Sequence, residues 1–142
     1  MASWLRVFAA SCVLVSVGVL HGQSAIRTVD KGAQSNVDDR LTASARSEAE
    51  WTTLWKKHNF DQPAPRVDFS KEMVVAVFMG SRPTAGFSVE IVAAAERGEK
   101  FVVGYRETLP APGGISAQVL TAPYHIVVVP KSPLSIEFQK QP

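Results

Sequence analysis

Apolar residues follow three different spacings along the 142-residue chain. From Val7 to Leu20 they run almost unbroken, with Ser11, Cys12 and Ser16 as small polar interruptions. From Trp51 they fall at i, i+3, i+4 and i+7 (Trp51, Leu54, Trp55, His58), which is one face of a helix. From Lys71 onward they take the two-residue period of strands, or form short continuous runs suited to strands covered on both faces.

The helix is predicted over about 48–58. Ser47-Glu48-Ala49-Glu50 is a capping box, in which the serine oxygen accepts from the third amide and the glutamate reaches back. Glu48 and Glu50 at its start and Lys56 and Lys57 at its end complement the macrodipole. Asn59, Pro63 and Pro65 end it. Strands are predicted at 25–31, 40–43, 73–79, 124–129 and 134–138. Residues 87–108 read as a hairpin turning at Glu96–Glu99, with Phe87, Val89 and Ile91 alternating against Ser88 and Glu90. The expected fold is α+β, with six to seven mostly antiparallel strands and one amphipathic helix packed on them. Its core is assigned to Trp51, Leu54, Trp55, Val75, Val77, Val89, Ile91, Val103, Ile126 and Val128.

The first apolar run has another purpose. Fourteen residues do not cross a hydrocarbon core of about 30 Å as a helix. Arg6 before the run and Gly22-Gln-Ser-Ala25 after it match a secretory signal peptide over 1–24, cleaved between Gly22 and Ala25. A buried N-terminal helix and a retained anchor are the alternatives. Ala9-Ala10-Ser11-Cys12 lacks the leucine of a lipoprotein acylation site. The expected product, 25–142, is a single domain, exported and periplasmic or extracellular, touching the membrane only in transit. It keeps no cysteine, so disulfides and thiol chemistry are excluded from it. Losing Arg6 leaves 14 basic residues against 13 acidic ones, a balance that gives no reason to expect nucleic acid.

Chemistry is sparse. His58 and His125 carry no H-E-x-x-H or paired acids, so no metal is expected. His125 is read as alternating outward from its strand. No G-x-S-x-G occurs, and nothing in the order of residues sets a serine and an acid beside either histidine. Gly113-Gly114 lacks the lysine and helix of a phosphate loop. No cofactor is implied, a non-enzyme is expected, and a small hydrolase is the weakest alternative.

Loops carry what signal remains. In Ser81–Gly86, Pro83 fixes one backbone angle and Gly86 permits a positive one. Arg82 and Thr84 supply a donor fork and a hydroxyl suited to gripping a peptide or carboxylate. Pro110–Gly114 and Ala122–Tyr124 are the neighbouring loops. The partner-binding set is therefore Arg82, Pro83, Thr84, Gly86, Phe87, Gly113, Gly114 and Tyr124. The plainer reading makes all three segments bends between strands and Tyr124 a core aromatic.

EAEWTTLWKKH, PAPRVDFSKEMVVAVFMGSRPTAGFSVEIV, the PAPGG loop and LTAPYHIVVVPKS occur in an order that resembles the C-terminal domain family of PrcB, a protease complex subunit. The family usually has a glycine pair where this chain has Ala85-Gly86, and serine where it has Ala122. The resemblance implies an exported, non-catalytic protein that binds another protein, as an accessory or stabilising subunit of an envelope complex, with a protease as one partner class. Arg82-Pro-Thr-Ala-Gly-Phe87 is also similar to the N-P-T-T-G-Y loop of chagasin-type cysteine-protease inhibitors, with Pro112-Gly-Gly114 and Pro123-Tyr124 following in comparable order. That likeness implies the alternative, an inhibitor acting through the same loop. Arginine in place of asparagine and Ala-Pro-Tyr in place of Arg-Pro-Trp depart from it.

Overall fold

A computed structural model describes residues 25–142. The expected leader, including Cys12, lies outside the described residues. Seven strands and one helix follow in the order β1 (Arg27–Gly32), β2 (Leu41–Ala45), α1 (Glu48–His58), β3 (Glu72–Phe78), β4 (Ser88–Arg97), β5 (Lys100–Thr108), β6 (Tyr124–Pro130) and β7 (Ser135–Lys140). They form a four-stranded sheet, β1-β6-β3-β2, and a three-stranded sheet, β4-β5-β7.

The continuous apolar runs explain the layering. Strand side chains alternate between faces, and β3 sends Val74, Ala76 and Phe78 to the core under α1. Met73, Val75, Val77 and Met79 go to the core shared with the second sheet. Strand β6 divides likewise, with Tyr124, Ile126 and Val128 on the helix side and Val127 and Val129 opposite. Both central strands are therefore covered on both faces, and three layers result. The predicted α+β class holds, and every residue assigned to the core is buried.

Helix α1 begins with the serine half of its capping box, while Glu50 reaches one residue further back than the cap. Ser47 Oγ accepts from the Glu50 amide at 3.2 Å, and Glu50 Oε2 accepts from the Arg46 amide at 3.2 Å. Its buried face is Trp51, Leu54, Trp55 and His58. The proline-rich segment that stops the helix folds back under it. Trp51 Nε1 donates to the Pro65 carbonyl at 2.8 Å and Trp55 Nε1 to the Gln62 carbonyl at 2.9 Å, so both buried indoles are satisfied.

One pairing departs from the antiparallel pattern. β7 lies parallel to β5, Phe101 opposite Ile136 and Val103 opposite Phe138. The chain leaves β6 in one sheet and enters β7 in the other through a short link. There, buried Ser132 donates to Glu96 Oε1 at 2.7 Å and accepts from the Leu134 amide at 3.3 Å.

Candidate functional site

Two loops meet at one end of the sheets. Ser81–Gly86 leaves β3, and 109–123 joins β5 to β6. Arg82 and Thr121 form an antiparallel bridge, with Arg82 N donating to Thr121 O at 2.7 Å and Thr121 N to Arg82 O at 2.9 Å. The Thr121 hydroxyl donates to Thr84 O at 2.9 Å, and Ala85 N donates to Ala117 O at 3.0 Å. On the other side, Ser81 N and Oγ donate to Asp38 O and Oδ1 at 2.8 and 3.0 Å. Gly86 has φ 96°, the positive angle expected of it, and a Cβ there would lie 3.0 Å from Pro110 Cγ. The short turn is tied along both sides.

Arg82 and Thr84 behave differently from expectation. Both are half-buried. Arg82 Nη2 donates to the Met79 carbonyl at 2.9 Å, and its guanidinium lies 5.7 Å from the Phe87 ring centre. Thr84 Oγ1 donates to Ala85 O at 3.0 Å. Arg82 Nη2 and the Thr84 hydroxyl are spent on carbonyls of the turn and its approach, which need donors, while Arg82 Nε is buried without a hydrogen-bond partner among the described residues. They shape the corner and do not reach out from it. Pro83, Gly86, Gly113 and Gly114 are exposed, and Phe87 packs its ring partly into the second core.

Tyr124 is a correction. It lies 7% exposed in the core beneath α1, where strand parity directs it, and offers a partner no surface. Burial pushes its phenol well above the usual range, and its hydrogen bond to Asp30 adds to this.

The apolar surface at this end lies elsewhere on the same loop. Leu109, Ile115, Val119 and Leu120 are exposed, Ile115 fully; of the large exposed apolar side chains among the described residues, Phe60 alone lies outside this loop. Sequence reasoning centred on Ser81–Gly86 passed over them. The available signal was charge: no Asp, Glu, Lys or Arg occurs between Thr108 and Lys131.

Of the two histidines, His58 lies on the buried tryptophan-bearing face of α1, as its helical spacing predicts, whereas His125 does not alternate outward as expected. His125 points inward between the sheets, 3% exposed. Its Nδ1 accepts from the Ile91 amide at 2.8 Å, where β4 bulges and loses a ladder partner, and Nε2 lies 2.8 Å from Thr28 Oγ1. Burial, aided by nearby Lys31 and opposed by Glu90, pulls its pKa down to about 4. Neutral His125 is a cross-sheet tie.

Around His58 the structure does assemble a serine and an acid: Nδ1 lies 2.9 Å from Ser35 Oγ, and Nε2 lies 2.9 Å from Asp30 Oδ2. The order resembles a catalytic relay, but the imidazole is 1% exposed and its ring centre lies 4.2 Å from that of Tyr124, tilted against it. Ser35 Oγ additionally accepts from the Val37 amide at 3.1 Å. These contacts satisfy a buried ring and pin β1 to the end of α1. Among the described residues no group of three potential metal ligands converges.

Residues 73–130 match the PrcB C-terminal family model. The PrcB C-terminal match begins in β3 and ends with β6, so it contains both loops, the β4–β5 hairpin and His125. Helix α1, β1, β2 and β7 lie outside it. The family is associated with a protease complex, and it is the family that the sequence motifs resemble. No curated protein and no solved structure matches the chain.

Proposed function

We propose that this chain is an exported, non-catalytic protein-binding module, an accessory or stabilising subunit of an envelope complex whose partner is a protease. The PrcB C-terminal match supports association with a protease complex, and the N-terminal sequence supports export. One observation carries the docking site: Leu109, Ile115, Val119 and Leu120 stand exposed on a loop clamped by backbone hydrogen bonds to the Ser81–Gly86 turn. A clamped loop loses little conformational freedom on binding, so its apolar side chains yield more of their burial as affinity. Large apolar side chains kept in water on one loop are the raw material of an interaction site.

The test is affinity capture from envelope extract with the wild-type chain and with Ile115→Asp/Leu120→Asp. A single stoichiometric partner, retained by the wild type and lost by the folded double variant, is expected. Identical capture by both chains would remove this surface from the function.

The inhibitor reading draws on the same meeting of loops but receives less support. Tyr124 is buried and the Thr84 hydroxyl is engaged within its own turn, so two of the groups such a contact needs are withheld. Inhibition of papain-like enzymes at sub-micromolar concentration, abolished by Thr84→Arg, is what that alternative requires.

A further inference from the structure

The two sheets have four edge strands: β1, β2, β4 and β7. Exposed edges invite pairing with another strand, and proteins guard them with charges, prolines or bulges. Three of these edges are guarded. β1 carries Arg27, Asp30 and Lys31 and bulges between Thr28 and Asp30. β4 carries Glu90, Glu96 and Arg97 and bulges between Ile91 and Ala93, and β7 carries Glu137 and Lys140.

β2 has none of these devices. Its sequence, Leu-Thr-Ala-Ser-Ala, is uncharged and free of proline, and it pairs with β3 in unbroken register from Leu41↔Phe78 to Ala45↔Val74. The arginines on either side of it turn away from the edge. Arg40 pairs with Glu107 of β5, and Arg46 Nη2 donates to the Leu134 carbonyl, just before β7. Beside the edge runs a groove lined by Leu41, Ala43 and Ser44 from β2 and by Thr53, Leu54 and Lys57 from α1.

We propose that β2 is the interface of a two-fold homodimer in which two four-stranded sheets join into one of eight strands. The edge is self-complementary. A two-fold axis at Ala43 sets Leu41 opposite Ala45, and Thr42 opposite Ser44, of the other copy. That places apolar groups together on the helix side and hydroxyls together on the other. Charge agrees with this register. The chain reverses between β2 and α1 at Arg46-Ser47, and a five-residue strand and an eleven-residue helix both span about 16 Å, so their midpoints lie side by side. The axis through Ala43 therefore brings the Glu50 end of one helix beside the Lys57 end of the other. Among the described residues neither Glu50 nor Lys57 has an ion-pair partner within its own chain. A parallel arrangement would face like with like. Exposed pairs of this kind add little affinity, so they choose the orientation while backbone pairing and the filled groove provide the association.

The experiment uses the expressed chain carrying Cys12→Ser. Sedimentation equilibrium should show a monomer–dimer equilibrium, and Thr42→Lys, at an exposed edge position, should raise its dissociation constant at least tenfold. Ala43→Cys in the same background should form a symmetrical disulfide on mild oxidation. Residues directly opposite in an antiparallel pair have Cα atoms about 4.5–5.5 Å apart, within disulfide range. Leu41→Cys, facing Ala45, should cross-link far less. A monomer at every concentration overturns the proposal, as does a dimer indifferent to Thr42→Lys or one that cross-links at Leu41 in preference to Ala43. The cysteine pattern decides the question even where the lysine variant folds poorly.

Discussion

Gly80 and His125 show how single residues tie the candidate surface to the body of the protein. A Cβ on Gly80 would lie 2.7 Å from the Asp38 carbonyl oxygen, and its φ is 76°. Gly80→Ala should cost about 2 kcal/mol in chemical denaturation, from backbone strain and steric conflict together. His125 makes stability depend on pH. The unfolded chain binds a proton near 6.5 and the folded chain near 4, so protons favour the unfolded state between those values. The His125 contribution should be flat above pH 6.5 and fall by about 3 kcal/mol as pH drops through that window. His125→Gln should flatten the slope. Glu107 acts at lower pH. Burial raises it, but hydrogen bonds from Arg40 and Lys140 outweigh burial and leave it lowered, so its contribution is lost as pH falls below the ordinary glutamate range. None of this was legible beforehand, because in a strand covered on both faces alternation does not distinguish inside from outside. The Ile91 amide that holds His125 is freed only by a bulge.

At the scale of elements, α1 was legible to the residue. Its period, cap and stop signals lie in one contiguous stretch, Ser47 to Pro65. Ser47→Ala should cost about 1 kcal/mol, as loss of an N-cap does. Trp51→Ala should cost about 3–5 kcal/mol, since it opens a cavity against Trp55, whose ring centre is 5.4 Å away, and orphans the Pro65 carbonyl. Both values are measurable from urea unfolding curves. Strand positions were legible as well, and so was the β4–β5 hairpin, but the other partners were not. That β5 receives β7 in parallel, or that β2 and not β7 presents the unguarded edge, depends on which strands become neighbours, and no local period records it.

For the whole molecule, the candidate surface was half legible. Proline and glycine marked Ser81–Gly86 as a corner, and the structure confirms a rigid one, while the side chains that face solvent come from a loop some thirty residues later. Because Ile115 and Leu120 contact water and not the core, Ile115→Asp/Leu120→Asp should change unfolding free energy by no more than about 0.5 kcal/mol each. Binding loss without stability loss would separate a docking role from a packing role.

The pairing of β1 with β6 sets Arg27 opposite Val128, so the first of the described strands to leave the ribosome waits for nearly the last. Helix α1 can nucleate early, but the sheet it covers cannot close until synthesis is almost finished. Such a topology folds late and slowly, in one cooperative step. Until then the largely apolar stretches that later become β2, β3 and β6 stay accessible to whatever chaperone meets the nascent chain.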